Sequence, residues 1–317
     1  MASLLVTSPH ESDGKTAIAS GLLALFGEAG LSHYARIADQ RPHADAVFVK
    51  SAFGLIPTAD EMTRTARAPV ETFAPHARDA VVIESDANAG LGIPSIIVAT
   101  FRGSQTVRDI QALINDLEVR PIGVILNAAP LAQQRTIERL VLPEVHALGV
   151  PLLGILPETR ALRGATAHEL AVFLEADVLA AEQALSNVIE SYMIGAMSHQ
   201  GASSISYFNR FENKCVVTGG NRIDTHMGAL ATPCRALVMT GGFDPDPVVI
   251  EHAEGEDVPI LKVWPDTETT IEKIGQFMRE TRFHQAFKVP LIADLLRTHV
   301  DLAPIEAALG LSVVSRA

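Results

Sequence analysis

Ser8-Pro9-His10-Glu11-Ser12-Asp13-Gly14-Lys15-Thr16 holds the residues of this chain whose types and spacing suit phosphate chemistry. A glycine at position 14 lets the backbone approach a phosphate closely. The Lys15 ammonium can reach terminal phosphates, and the Thr16 hydroxyl can hold Mg²⁺. The loop departs from the usual pattern in two ways. Ser8 or Pro9, depending on spacing, stands where a leading glycine belongs, and Glu11 and Asp13 bring negative charge to the place where phosphate should lie. At about 4 Å and an effective dielectric near 20, each unscreened contact between like charges costs roughly 4 kcal/mol. The stretch predicts a phosphate-binding turn contacted through Ser12, Asp13, Gly14, Lys15 and Thr16, with Lys15 the leading candidate for any catalytic role. The alternative is an inherited loop that no longer takes a nucleotide.

Such a loop needs a strand before it and a helix after it. The apolar run Leu4-Leu5-Val6 and the alanine- and leucine-rich stretch from Thr16 supply both. Strands are expected at Ser3–Thr7, His33–Ile37, Ala80–Glu84, Ser95–Ala99, Gly123–Asn127 and Leu152–Leu156. Helical patterns fall at Thr16–Glu28, Val107–Leu117, Gln133–Leu148 and Ala167–Leu174. Alternation of this kind, with strands apolar throughout, implies a doubly wound parallel sheet covered on both faces. Residues 39–75 are less regular and proline-containing, and read as an insertion over the carboxyl edge of the sheet.

That edge is where open α/β sheets gather ligands. Glu84 ends a strand there and could hold Mg²⁺, as could Asp45 or Asp39 from the irregular segment. The alternative for each is a solvated acid. Arg36 could clamp an oxyanion with its forked guanidinium or serve a structural ion pair. Asn127 ends the fifth strand and could contact a base or ribose. His10 reads as a loop side chain.

A second unit is expected from residue 181, giving domains 1–180 and 181–317. It contains an internal echo, Lys214-Cys215-Val216-Val217-Thr218-Gly219-Gly220 and Ala236-Leu237-Val238-Met239-Thr240-Gly241-Gly242. Two apolar strands ending in Thr-Gly-Gly suggest paired turns at one sheet edge. A third strand at Pro259–Val263, helices at 268–279 and 284–300 and a short one at 302–309 complete a small βαβαβ domain. Thr218, Gly219, Gly220, Arg222, Thr240, Gly241 and Gly242 are the ligand candidates there, since successive backbone N–H groups can cradle an anion. The other reading is that these glycines only permit tight turns. His226, His252, His284 and His299 fall on helical patterns and read as surface or core residues.

Over 317 residues, 25 basic side chains face 37 acidic ones, a formal charge of −12. That balance argues against nucleic-acid or anionic-membrane binding. No stretch reaches the roughly 18 apolar residues a membrane span needs, and no leader is recognised at the N-terminus. Cys215 and Cys234 open apolar runs and read as a buried, reduced pair. A cytoplasmic location is expected.

The loop from Val6 to Thr16, with Ile83-Glu84, resembles dethiobiotin synthetase. In the second half, Gly195-Ala196-Met197, Thr218-Gly219-Gly220-Asn221-Arg222-Ile223-Asp224, Thr240-Gly241-Gly242 and Asp266-Thr267 resemble a DRTGG domain. The ordered set resembles the N-terminal region of long phosphotransacetylases and two-domain proteins of the same make-up. The resemblance implies a P-loop domain, ATP and Mg²⁺ as ligands, Glu84 as a metal carboxylate, an asparagine at 127 that recognises adenine, and a homo-oligomer. It departs in three respects. The phosphotransacetylase catalytic domain would require several hundred further residues, so acetyl transfer is not expected. Arg36-Ile37 replaces a Lys-Pro pair, and Ser85-Asp86-Ala87-Asn88-Ala89-Gly90 replaces a glycine-rich substrate segment, so closure of a cyclic urea is not expected either.

Three functions stay open at this point. The first is a nucleotide-binding regulatory or accessory protein whose second domain senses another ligand or mediates self-association. The second is an ATP-dependent ligase that activates a carboxylate as an acyl phosphate. The third is a silent scaffold subunit of a larger enzyme partner. Helices 267–280 and 284–300 offer apolar faces for a dimer contact.

Overall fold

A computed structural model describes residues 2–37, 44–55, 80–85, 92–195, 202–280 and 283–311. Its contacts form two compact units, Met1–Thr159 with Phe283–Ala317, and Arg160–Arg282. The division falls earlier than residue 180, and the last two helices join the first unit rather than the second.

The first unit begins with β1 (Ala2–Thr7), whose side chains are buried from Ser3 onward, and α1 (Lys15–Phe26). β2 (Leu31–Ile37), α2 (Ala44–Ala52), β3 (Ala80–Ser85), β4 (Ser95–Thr100), α3 (Gln105–Asp116) and β5 (Gly123–Ala129) follow. Then come α4 (Gln134–Thr136), a π-turn (Ile137–Val141), α5 (Leu142–Ala147) and β6 (Leu152–Pro157). Pro143 lies in the first turn of α5, and a proline ring and missing N–H there favour a widened preceding turn over a continuous α-helix. The six strands pair in parallel in the order β2-β3-β1-β4-β5-β6, the doubly wound parallel sheet that the alternation predicts. Part of the stretch read as irregular is helical, since α2 carries Asp45. Asp39, the segment 86–90 and Ala196-Met197 lie outside the described residues.

The second unit contains α6 (Arg160–Arg163), β7 (Ala165–Thr166), α7 (Ala167–Leu174), β8 (Asp177–Ala180), β9 (Val188–Ile189) and β10 (Ser191–Ile194). It continues through α8 (Ala202–Phe208), β11 (Lys214–Gly219), α9 (Ile223–Leu230), β12 (Cys234–Thr240), α10 (Pro247–Gly255), β13 (Ile260–Lys262) and α11 (Thr267–Glu280). β9 and β10 fall where no strand was expected. Thr166 and Glu169 form a reciprocal cap on α7, and Asp246 caps α10 ahead of Pro247. β10, β11, β12 and β13 run parallel, with β8 antiparallel at the edge. Apolar side chains pack on both faces: Phe208, Leu230 and Val249 on one, Leu170, Leu174 and Ile274 on the other. Cys215 and Cys234 are free and buried, and burial raises both thiols, Cys234 to about 11.

The chain returns to the first unit with α12 (Lys288–His299) and α13 (Ala303–Leu309). Here α12 lies on α1, where Gly21 admits it: a methyl at that position would sit 2.5 Å from Leu296 Cδ1. With the sheet on one side and α12 on the other, α1 is apolar nearly all round. The apolar stripes read as a dimer face are used internally. α12 covers α1, while Ile274 and Phe277 of α11 pack into their own unit.

Candidate functional site

The phosphate-type loop is a single 3₁₀ turn, Glu11–Asp13, closed by Gly14 in the left-handed region at φ 96°. Lys15 opens α1 and is 1% exposed. Its ammonium donates to Ser8 Oγ at 2.8 Å and to the carbonyl oxygens of His10 and Glu11 at 3.4 and 3.3 Å. Drawing those two carbonyls inward turns the N–H groups of the same trans peptides, those of Glu11 and Ser12, the opposite way. Both residues lie at the exposed side of the loop. The site sits at the carboxyl end of β1 and the amino end of α1, where the first helical amides have no intrahelical acceptor.

Asp13 does not lie open beside the loop. Its carboxylate is completely buried, accepting the His10 N–H at 3.1 Å and an Arg102 guanidinium N–H at 2.7 Å. Asn127, two residues before the end of β5, donates to the Asp13 carbonyl at 2.9 Å. A Cβ at position 14 would stand 2.2 Å from Asn127 Nδ2, so that side chain packs directly beneath Gly14. Asn127 thus braces the loop from below. His10 reaches Asp109 on α3 at 3.0 Å, tying the turn to a second helix.

Thr16, Arg36, Asp45 and Glu84 do come together. The Thr16 hydroxyl donates to Glu84 Oε1 at 2.8 Å, and Tyr34 donates to Glu84 Oε2 at 2.7 Å. Arg36 Nη1 bridges Glu84 Oε1 and, at 3.1 Å, Asp45 Oδ2. His284 Nε2 lies 2.6 Å from Asp45 Oδ1. Burial raises the Glu84 carboxyl above its ordinary value against the opposing pull of Arg36 and Tyr34. Tyr34 is raised further, by burial and by Glu84, and stays a donor.

In this arrangement the donor set does not fit a divalent ion. Every oxygen of the two carboxylates has a protein partner, and Thr16 points its hydroxyl hydrogen at Glu84. A unit charge at about 4 Å from another interacts by roughly 4 kcal/mol at a dielectric near 20, so a dication beside Arg36 would meet about twice that repulsion. Thr16, Glu84 and Asp45, expected to hold Mg²⁺, thus lie together but are already matched to a guanidinium. Among the described residues no three of His, Cys, Asp or Glu form a metal-type cluster.

In the second unit the echo places the two Thr-Gly-Gly turns side by side, with Gly219 opposite Thr240. The amides of Gly220, Gly241 and Gly242 are taken up by backbone carbonyls of neighbouring segments. Gly220 N–H donates to Thr240 O, Gly241 N–H to Pro265 O and Gly242 N–H to Val263 O, at 3.1, 2.9 and 3.0 Å. Thr218 Oγ1 and Arg222 both donate to Gly195 O, and Thr240 Oγ1 meets Thr267 Oγ1. An anion cradle from these amides is thus replaced by tight turns, with φ of 86° and 72° at Gly241 and Gly242. Phe243 and Trp264 stand exposed beside them, at 52% and 72%.

Sequence reasoning missed Arg102 and Tyr34, and it read His284 as a surface or core residue on a helix, whereas it precedes α12 and meets Asp45. None lies in a motif, and each reaches its partner across 50 to 239 positions. An arginine just past the end of a central strand, beside an acid-containing loop, was the one available signal.

Residues 169–277 match the family model described as the DRTGG domain. The chain is 24% identical over 245 residues to a phosphate acetyltransferase of Nitratidesulfovibrio vulgaris, 72% of this chain and 34% of that protein. It is 28% identical over 131 residues to the uncharacterized protein YtoI of Bacillus subtilis, covering 41% of this chain and 28% of that one. A phosphate acetyltransferase of Acinetobacter baylyi matches at 24% over 178 residues, 53% and 24%. The chain thus spans about a third or less of these relatives' length. Among solved structures, the MinD cell division protein of Aquifex aeolicus overlaps 51% of this chain and 84% of its own, at 16% identity and a TM-score of 0.39. The CBS and DRTGG domains of a Clostridium perfringens pyrophosphatase, solved with diadenosine tetraphosphate, overlap 37% and 47% at 20% identity and a TM-score of 0.31. Among the described residues no helix is long and apolar enough to cross a membrane. The chain carries a DRTGG domain after a doubly wound α/β unit, and resembles the N-terminal region of long phosphotransacetylases.

Proposed function

We propose that this chain is a nucleotide-binding regulatory or accessory protein, with ATP or another phosphorylated small molecule at the Gly14-Lys15-Thr16 turn. The observation that carries the reading is the placement of Asp13. Its carboxylate is turned into the base of the loop and matched by Arg102 and the His10 N–H, so this acid does not oppose a phosphate. The exposed side of the loop carries Glu11 and Ser12, whose N–H groups are turned outward by the bonds their preceding carbonyls make to Lys15, an arrangement that favours an anion. The DRTGG domain then reports on a second ligand or joins copies of the chain.

A ligase that activates a carboxylate is the weaker reading, because phosphoryl transfer of that kind relies on a metal bridging the phosphates. The donor set at Glu84 and Asp45 is not arranged for one. Calorimetric titration of the full chain with ATP, ADP and AMP tests the proposal. Saturable heat that disappears in Lys15→Ala supports it. No heat and no thermal shift at millimolar nucleotide would defeat it and leave the scaffold reading.

A further inference from the structure

We infer that phosphorylated ligands bind at the Lys15 turn without a divalent cation, the Arg36 guanidinium being the built-in charge that stands where a metal would bridge Glu84 and Asp45. The inference rests on the nucleotide reading above and specifies its ligand as the metal-free species. Three features of the cluster argue for it together. Arg36 Nη1 touches both carboxylates at once, the position a bridging ion would take. The remaining carboxylate oxygens are covered by Tyr34 and His284, from β2 and from the segment that precedes α12. Arg36 itself is 5% exposed and Glu84 fully buried, so neither has a ready route to trade its partner for hydrated Mg²⁺.

Magnesium dehydrates reluctantly and demands near-octahedral oxygen ligands. To gain a first ligand here it would have to strip Thr16 from Glu84 and expel a guanidinium from a closed pocket. A guanidinium, by contrast, carries a permanent charge and a planar fork of donors that suits two carboxylates. The triad of Thr16, Glu84 and Arg36 then sets the turn of α1 against β2 and β3. The Lys15 ammonium, held on Ser8 Oγ and the His10 and Glu11 carbonyls, turns the Glu11 and Ser12 N–H groups toward the side from which a phosphate would approach.

The test is calorimetry of ATP against the full chain in EDTA and in millimolar MgCl₂. The expected result is a Kd in EDTA within about threefold of that in magnesium. Binding that is tenfold or more weaker in EDTA, on the order of 1.4 kcal/mol, overturns the inference while leaving the nucleotide reading intact. Absence of binding in both buffers overturns the nucleotide reading, and this inference with it. Arg36→Gln supplies a second arm in soluble, folded protein. Its ATP affinity is expected to fall in EDTA and to recover when magnesium is added. An Arg36→Gln protein that binds ATP as well as the parent in EDTA would show that the guanidinium is not the counter-charge. The two wild-type arms decide the question even where the variant fails to fold.

Discussion

Arg102 Nη1 donates to Asp13 Oδ1 at 2.7 Å, joining residues 89 positions apart. Through this bond the phosphate-type loop accommodates an acid. The carboxylate has lost all contact with solvent, while the guanidinium, whose side chain is 34% exposed, keeps one side in water.

Removing that partner while leaving the acid buried should cost stability. A buried ion pair broken on one side loses roughly 3–5 kcal/mol, and the solvent-facing side of Arg102 brings the expectation down to about 1–3 kcal/mol for Arg102→Met. Urea unfolding of the single variant and of Arg102→Met with Asp13→Asn measures it. Most of the loss should return in the double variant, because the amide at 13 no longer strands a charge. Equal losses in both proteins would mean the pair does not act as one unit.

Gly14→Ala combines two penalties. A left-handed backbone at φ 96° is disfavoured for alanine by about 1–2 kcal/mol, and the new methyl would collide with Asn127 Nδ2. The thermal midpoint should fall, and ATP binding should weaken because the brace on the Asp13 carbonyl is pushed aside. Adding Asn127→Ala is expected to relieve the collision but not the backbone strain. A Gly14→Ala protein as stable as the parent would rule out the bracing role.

His226 makes the second unit sensitive to acid. Burial lowers its pKa, outweighing the favourable contact with Gly219 O, and Arg222 adds to the lowering. A histidine whose folded pKa lies below its unfolded value binds fewer protons when folded. Stability is therefore full above the unfolded value near 6.5 and declines as pH falls from there toward the lowered value. Chemical denaturation of the parent and of His226→Gln between pH 5 and 8 should show the parent losing more on the acid side. Parallel pH profiles would remove His226 as the cause.

Gly154 in β6 is backed by the chain that returns after α12. A methyl there would lie 2.2 Å from the His299 carbonyl oxygen and 2.8 Å from Val300 Cα, where Asp301 N–H also donates to Leu153 O. Both neighbours are backbone and cannot rotate away. Gly154→Ala should destabilise the first unit by about 1–3 kcal/mol, read as a lower urea midpoint. An unchanged midpoint would indicate that residues 299–301 do not dock firmly on β6.

All six strands of the first unit, and the second unit's β11, β12 and β13, were legible because covered strands read as unbroken apolar runs such as Leu4-Leu5-Val6 and Val216-Val217, whereas the short β7 to β10 were not. The Thr-Gly-Gly echo also placed two turns at one edge. Its amides could not be followed from sequence, since Pro265 O and Val263 O, which accept from Gly241 and Gly242, belong to a later strand and its exit. The helix expected at 284–300 was found but placed with the second unit, because an apolar stripe records that a face is covered and not what covers it. For α12 the covering surface is α1, through Gly21.

Residue types and their local order sufficed to establish the alternation of strand and helix, the turn at Gly14-Lys15-Thr16, and the grouping of Thr16 with Glu84 at one sheet edge. The first two follow from periodicity and short-range geometry, and the third from the rule that open α/β sheets gather ligands at the carboxyl ends of their strands. Which charge neutralises which was settled only by the folded chain. Arg102 meets Asp13, and Arg36 meets both Glu84 and Asp45, across separations that carry no periodic signal. Coulomb interactions and desolvation depend on distance in space, and a linear sequence does not state that distance.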